Sequence, residues 1–312
     1  WKSMSSSPKA KAKPATGGMA GVVAGDSAIC TVGQGYGLNY RGYNIEDLAN
    51  YGTFEEVLYL MLYEKLPDQM ELDKFILEIA KNRTIPDQLK HVLEMVPKTA
   101  HPMDVMRTVS SFLGTLEPEV LDPNDKNFNS GEQVTIRLIA VFGPCLLYWW
   151  HFHQRGIRIP TNTGPKDSVA LNFVKLLNYS PSTNQSAVDP EVVKTVDLSL
   201  ILYAEHEFNA STFVGRIIAS THADIYSAIT GAIGCLKGKL HGGANEAAIR
   251  FLNQFNSKEE AEEEVRRMFD NKQLVMGFGH RVYKKEDPRS PIIKKQSKKL
   301  SENEGKNPNA SK

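Results

Sequence analysis

Only three cysteines occur in 312 residues, Cys30, Cys145 and Cys235, with no CxxC pair and no even-numbered framework. A disulfide scaffold is excluded, and buried thiols in a reducing compartment are the expectation. The chain also lacks an excess of either charge, with 37 Lys plus Arg against 36 Asp plus Glu. A polyanion binder normally carries a basic surplus, so nucleic acid is not an expected partner. No apolar run is long enough to cross a bilayer. The longest, Leu138 to Trp150, is interrupted by Gly143-Pro144 and falls short of the roughly 18–20 residues a spanning helix needs. It reads as a buried helix, with no membrane partner.

Acids and arginine are both missing from the first 25 positions, which hold four lysines among Ser, Ala, Pro and Gly. Mitochondrial presequences are Arg-rich amphipathic helices, and the prolines here would break such a face; no secretory apolar core is present either. Residues 1–20 are therefore expected to be a flexible tail. The expected compartment is the cytoplasm, with the mitochondrial matrix as the alternative. The whole chain is 41% hydrophobic, an ordinary composition for a globular chain of one or two domains.

Two short β-like runs, Ala28 to Val32 and Leu38 to Tyr43, flank a glycine-rich connection at 33–37 and predict a hairpin. Almost everything after them has helical spacing. Thr53-Phe54-Glu55-Glu56 is a capping box ahead of an apolar run that ends at Leu66-Pro67, and Asp68 can cap a second helix through Ile79. Pro86, Pro97 and Pro102 mark further starts or breaks. A long helix is predicted from about Ser130 to Gln154, kinked at Pro144. The stretch 157–189 reads as loops around one helix, Val169 to Leu177. Apolar steps of three and four recur at Ile225, Ala228, Ile229, Ala232, Ile233 and Leu236, and again from Ala244 to Phe255. Ser257-Lys258-Glu259-Glu260 opens an acidic helix expected to bury Val265, Met268 and Phe269. Ser290-Pro291 predicts the N-cap and first residue of the last helix, whose Lys294, Lys295, Lys298 and Lys299 form a solvated face. The fold class expected is all-α with a minor N-terminal β hairpin.

Chemistry concentrates in two glycine-flanked histidines. His241, in Lys239-Leu240-His241-Gly242-Gly243-Ala244, stands just before an amphipathic helix, where glycines permit close approach and a ligand can meet backbone N–H groups. His280 ends Val275-Met276-Gly277-Phe278-Gly279-His280. Val282 occupies the last glycine position of GxGxxG, so a dinucleotide fold is not supported. Arg289, after Asp287-Pro288, is suited to a bidentate grip on a carboxylate. Glu205, His206 and Glu207 are adjacent on the chain and would point in different directions, so they do not form a metal set; no metal is expected. His151, His153 and His222 read as structural.

Four motifs in order, NYRGYNIEDLA at 39–49, EHEFNAST at 205–212, KLHGGANEAA at 239–248 and GFGHRVYKKEDPR at 277–289, resemble the citrate synthase family from about residue 21 onward. Two further stretches, HPMDVMRT at 101–108 and LLYWWHFH at 146–153, are closer to 2-methylcitrate synthases, whereas Arg281 is common in bacterial citrate synthases. The resemblance implies a mostly helical homodimer: a large domain over 21–236, which forms the dimer, and a smaller mobile domain over 237–312, incomplete on its C-terminal side. It implies condensation of an acyl-CoA with oxaloacetate and then thioester hydrolysis, with no permanently bound cofactor. The acyl-CoA would be propionyl-CoA, with some acetyl-CoA; citrate synthase proper is the alternative.

By motif, the resemblance assigns His241 as the donor to the thioester carbonyl and His280 as the group that polarises the oxaloacetate carbonyl. His206 and Arg289 would hold oxaloacetate, with Arg83 a further candidate. Leu274, Val275, Met276, Gly277 and Phe278 would line the CoA site, and Lys284 would meet a CoA phosphate. The family's base is an aspartate in a later segment, followed by two arginines, and nothing in 1–312 matches that motif; Asp270 and Asp287 lie outside it. The expectation is therefore an incomplete piece of an active enzyme, and the reading from another class is a truncated binding module without activity.

Overall fold

A computed structural model describes residues 24–32, 37–120, 122, 124–125, 129–161, 163–183, 185–279, 283 and 285–304. The tail expected at 1–20 lies outside them. Three short antiparallel strands open the described chain: β1 (Cys30–Val32), β2 (Leu38–Tyr40) and β3 (Tyr43–Asn44), in the order β1-β2-β3. Cys30 pairs with Tyr40 and Val32 with Leu38, the register of the expected hairpin.

Thirteen helices follow among the described residues, and the fold is all-α as expected. The first are α1 (Ile45–Tyr51), α2 (Phe54–Tyr63), α3 (Gln69–Lys81), α4 (Asp87–Met95), α5 (Pro102–Leu116) and α6 (Gly131–Arg155). Reciprocal capping boxes start three of them, Thr53 with Glu56, Asp68 with Glu71 and Ser130 with Gln133. Each satisfies two backbone donors that a helix start leaves open. α2 ends at Tyr63, three residues before the expected Leu66, because Glu64 turns left-handed at φ 66°. α6 runs without a break through Pro144, whose surroundings are core.

α6 is also the one described helix that is long and apolar enough to cross a membrane by length and composition. Its apolar residues are instead covered by protein. Val134, Leu138, Val141, Cys145, Leu147, Tyr148 and Trp149 pack with Leu89 and Leu93 of α4 and with Val105, Val109 and Leu113 of α5. Its opposite side, through Ile136 and Ala140, meets Leu58 of α2 and Phe75 and Ile79 of α3. His151 is fully buried with its Nε2 2.8 Å from the Leu176 carbonyl, and His153 Nε2 lies 3.1 Å from the Leu93 carbonyl. Both are structural, as expected.

The second half comprises α7 (Val169–Leu177), a two-stranded β4 (Tyr179–Ser180) and β5 (Gln185–Ser186), α8 (Pro190–Tyr203), α9 (Ala210–Ala219), α10 (Ile225–Leu236), α11 (Gly243–Leu252), α12 (Lys258–Asp270) and α13 (Arg289–Glu304). α7 has the predicted bounds. The β4–β5 pair lies in a stretch read as loop, where two residues per strand leave too little alternation to recognise. α10 lies against α5 and α9. α13 lies against α8 and α1, where the buried Gln296 donates to Thr195 Oγ1 (2.9 Å) and Glu191 Oε2 (3.2 Å). A separate core joins Leu38 and Tyr40 of the sheet, α1, α2, and Leu198, Ile201 and Leu202 of α8, with Ile292 and Ile293 of α13 packed on it.

Four local expectations are corrected. Phe269 of α12 is exposed, and α12 buries no residue completely. α11 stops at Leu252, before Phe255. α13 begins at Arg289 and not at Pro291, since Asp287 Oδ1 accepts the Arg289 N–H (3.0 Å) and caps the helix earlier than Ser290 could. Cys30 and Cys145 are buried as expected, but Cys235 is only half-buried.

A carboxylate pair where α2 meets α8, Glu55 buried and Asp197 half-buried, gives this fold a pH signature. Asp197 of α8 accepts the Phe54 N–H at the start of α2 (3.2 Å), and burial together with the charge of the neighbouring Glu55 pushes its pKa up to about 6. Ionised Asp197 therefore costs more in the folded than in the unfolded chain. The cost is absent below the unfolded value near 3.8, grows through pH 6 and is constant above it. Asp197→Asn keeps the acceptor and removes the charge. It is expected to stabilise by about 1–3 kcal/mol at pH 7.5, a gain that vanishes towards pH 4 in thermal melts.

Candidate active site

His241 is placed by a glycine turn between α10 and α11. The Gly238 carbonyl accepts the N–H groups of His241 (2.9 Å) and Gly243 (3.1 Å), folding the chain back on itself. A Cβ at position 242 would lie 2.6 Å from the Leu236 carbonyl, and one at 243 would lie 2.8 Å from the Gly238 carbonyl. Both positions therefore need glycine, and the spacing His-Gly-Gly is a steric requirement of the turn. The imidazole Nε2 lies 2.8 Å from Ser211 Oγ, at the start of α9, where Asn209 caps the helix by accepting from Ser211 N (3.0 Å) and Thr212 N (3.1 Å). Burial lowers the pKa of His241, which favours the neutral ring. The N-terminal end of α11 adds to this, because its dipole disfavours a cation.

His206 and Arg289 gather at the C-terminal end of α8. His206 Nε2 is 3.1 Å from the Tyr283 hydroxyl, and the two rings meet edge to face at 5.5 Å. Burial, followed by the charge of Asp287, pushes Tyr283 up to about 12, so it stays a neutral phenol. Arg289 is gripped bidentately by Asp287, Nε to Oδ1 at 3.0 Å and Nη2 to Oδ2 at 2.7 Å, and its Nη1 reaches the Leu202 carbonyl at 3.4 Å. The long Nη1 contact leaves that edge of the guanidinium as the donor a dicarboxylate could recruit. Glu207 adopts φ 53°, an uncommon backbone for glutamate, and its Oε1 accepts the Val32 N–H of β1 (3.1 Å). The left-handed kink turns the chain from α8 into α9 and so sets the separation between His206 and Ser211.

One short segment thus serves both groups. Residues 205–211 carry His206 at one end and the hydroxyl that meets His241 at the other. A second tie runs from Asn245 Nδ2 in α11 to the Tyr203 hydroxyl at the end of α8 (3.2 Å). His241, His206 and Arg289 are accordingly brought to the same end of α8 by named contacts.

Arg83 does not join them. It is 2% exposed, and its Nη2 donates to the Asp167 carbonyl (2.6 Å) in a pocket shared with Glu55, away from both histidines. Its Nη1 is buried without a hydrogen-bond partner, and no contact among the described residues ties this arginine to His206 or His241. Of the expected CoA segment, Val275 is buried, Met276 is half-buried, and Leu274, Gly277 and Phe278 are exposed. Gly277 has φ 95° with its backbone against Ala248 of α11, and Phe278 meets Phe269 edge to face at 6.0 Å. These residues form a surface beside α11. His280 and Lys284 lie outside the described residues.

Sequence reasoning missed Ser211, Tyr283 and Asn245 as members of the site. A hydroxyl immediately after an Asn N-cap, within a segment already singled out for its histidine, was the one available signal for Ser211. Tyr283 gave none, since nothing local says which of eleven tyrosines faces a histidine.

The geometry predicts a neutral His241 near physiological pH. Histidine-selective NMR titration is expected to place its midpoint below the ordinary value of about 6.5. A midpoint at or above that value contradicts the neutral-donor reading.

The chain is similar to known proteins in both sequence and fold. A family model described as citrate synthase, C-terminal domain, matches residues 18–311. The chain is 45% identical over 297 residues to a 2-methylcitrate synthase of Shewanella oneidensis, covering 94% of this chain and 76% of that protein. It is 38% identical to citrate synthase 2 of Bacillus subtilis, covering 92% of this chain and 74% of that one. Among solved structures, citrate synthase from Thermoplasma acidophilum, in a ternary complex with carboxymethyl coenzyme A and oxaloacetate, superposes with a TM-score of 0.79 at 30% identity, covering 92% of this chain and 73% of that chain. Citrate synthase from Pyrobaculum aerophilum gives 0.78 at 32% identity, with 91% and 70% covered. By its sequence, its helical architecture and the motifs that carry His206, His241 and Arg289, the chain belongs to the citrate synthase family of acyltransferases.

Proposed function

We propose that this chain carries the machinery of a 2-methylcitrate synthase, joining propionyl-CoA, oxaloacetate and water to give 2-methylcitrate and CoA. The carrying observation is the neutral, Ser211-held His241 at the start of α11, tied through residues 205–211 to the cationic edge of Arg289 and to His206. The 45% identity to the Shewanella 2-methylcitrate synthase supports propionyl-CoA over acetyl-CoA, and the Bacillus citrate synthase supports the same reaction class with a smaller acyl group.

A carbon acid α to a thioester is very weak, so its deprotonation needs a donor at the oxygen where charge develops. His241, with its ring kept neutral, fills that role. The enol carbon then attacks the oxaloacetate carbonyl, whose carboxylates His206 and Arg289 hold, and His280 protonates the oxygen that becomes the new hydroxyl. Water next cleaves the thioester and releases CoA. The exposed Leu274, Gly277 and Phe278, with Met276, offer a face for the acyl-CoA, and Lys284 a charge for its phosphate. The base is left unassigned: Asp287 is committed to Arg289, and Asp270 ends α12 on the surface. No permanently bound cofactor enters this scheme, and two copies of the chain form the working unit.

The test is thiol release from propionyl-CoA with oxaloacetate. His241→Ala is expected to lose about 10²–10³-fold in kcat, the cost of removing one oxyanion donor. Propionyl-CoA is expected to give the higher kcat/KM, with acetyl-CoA active as well, because one methylene is worth only about 1–3 kcal/mol in a pocket. A clear acetyl-CoA preference makes the chain a citrate synthase. Oxaloacetate binding by calorimetry without any turnover favours the second reading, a non-catalytic binding module.

A further inference from the structure

We propose that the first turn of α5, through His101 and Asp104, is a clamp that fixes the loop carrying His241, which makes both of them positioning residues. The inference rests on the role proposed for His241 and extends it to a motif, His101-Pro102-Met103-Asp104, that touches none of the reacting groups.

The loop in question runs from Lys237, after the last turn of α10, to Glu246, in the first turn of α11. Both of its ends are held by the same turn of α5. At one end Lys237 Nζ is 2.5 Å from Asp104 Oδ2, with Arg107 Nη2 3.0 Å from the other carboxylate oxygen. At the other end His101 Nε2 is 3.0 Å from Glu246 Oε2, and Arg250 pairs with the same glutamate one turn on.

The direction of the His101 bond follows from its second nitrogen. His101 is the N-cap of α5, and its Nδ1 accepts the Met103 N–H at 3.1 Å. In the neutral ring the proton must then sit on Nε2, where it is donated to Glu246. Pro102, at the first helical position, fixes the backbone that aims the ring. Asp104 lies in the same first turn, where a carboxylate is favoured by the helix dipole.

The two helices differ in how firmly they are held, and this assigns the clamp its purpose. α5 is anchored in the core by Val105, Val109, Ser110 and Leu113, all fully buried. α11 buries no residue completely. Hydrophobic packing therefore fixes the clamp and leaves the clamped helix loose, so the ion pairs and the Ser211 contact set where the imidazole points. Partly exposed pairs add little to global stability. Their effect is on the placement of His241, and in a preorganised site a displacement of about 1 Å is enough to lower the rate by orders of magnitude.

The experiment combines amide hydrogen exchange with kinetics on the same preparations. His101→Asn keeps an N-cap but is too short to reach Glu246, and Asp104→Asn keeps the shape and removes the charge facing Lys237. The double variant is expected to exchange amides 238–245 at least tenfold faster, with a melting temperature within about 2 °C of the parent. Its kcat should fall tenfold or more, while KM for oxaloacetate changes less than twofold, because His206 and Arg289 are held elsewhere. Glu246→Gln, which keeps an acceptor at the same reach, is expected to retain most of the protection that Glu246→Ala loses. Unchanged exchange at 238–245 in the double variant overturns the clamp. Failure of the catalytic reading shows separately, as a fully active His241→Ala.

Discussion

Helix α8 ends with carbonyls that its own backbone satisfies only in part, Ile201 by the Ala204 N–H (3.2 Å), and the contacts added to them organise the molecule. The hydroxyl of Tyr40, fully buried in β2, donates to the carbonyls of Ile201 (3.0 Å) and Leu202 (3.3 Å), and Arg289 at the head of α13 reaches Leu202 as well. A buried carbonyl left without a donor is costly, so these contacts are obligatory. They pin a strand from the start of the chain and a helix from its end to the same spot. His206 follows four residues later, which is why the cationic edge of Arg289 and the histidine meet there.

The same logic separates two kinds of charged group. Arg83 and Glu55 are buried and Asp197 is half-buried where helices meet, and each has a backbone partner. His206, His241 and Arg289 sit instead on segments with little core burial of their own, each oriented by polar contacts to side chains or helix ends nearby. Burial thus sorts structural from chemical cations better than residue type does. Arg83 illustrates the difference: an arginine in sequence announces a charge and not the carbonyl that its Nη2 meets.

Much of the fold was legible because its signals are local. Thr53 with Glu56, Asp68 with Glu71 and Ser130 with Gln133 are read three residues apart and form as expected. Ser257 with Glu260 forms only in part, since Glu260 bonds the Asn256 N–H and not that of Ser257. The failures share a cause in contacts distant along the chain. Phe269 has helical spacing but stays exposed, meeting Phe278 edge to face. The Ser211–His241 contact spans 30 residues and the His206–Tyr283 contact 77, and nothing in either local sequence encodes them. The histidines themselves were legible from their glycines, whose necessity is steric and therefore written into the sequence.

The joining of Tyr40 to α8 and of Ile292 and Ile293 to the same core has a consequence for the order of folding. The α4–α5–α6 cluster is built from neighbours in sequence and can close early, while the chain is short. The sheet, α8 and α13 span most of the described length, so their loop-closure entropy is met late. On a ribosome, residues 38–40 must wait for some 250 more to emerge before their core is complete. During that interval the core shared by β2 and α8 lacks the cover of Ile292 and Ile293. The site around His206 is therefore the last part of this chain to exist, and the period of greatest exposure to misassociation coincides with the time before it can bind anything.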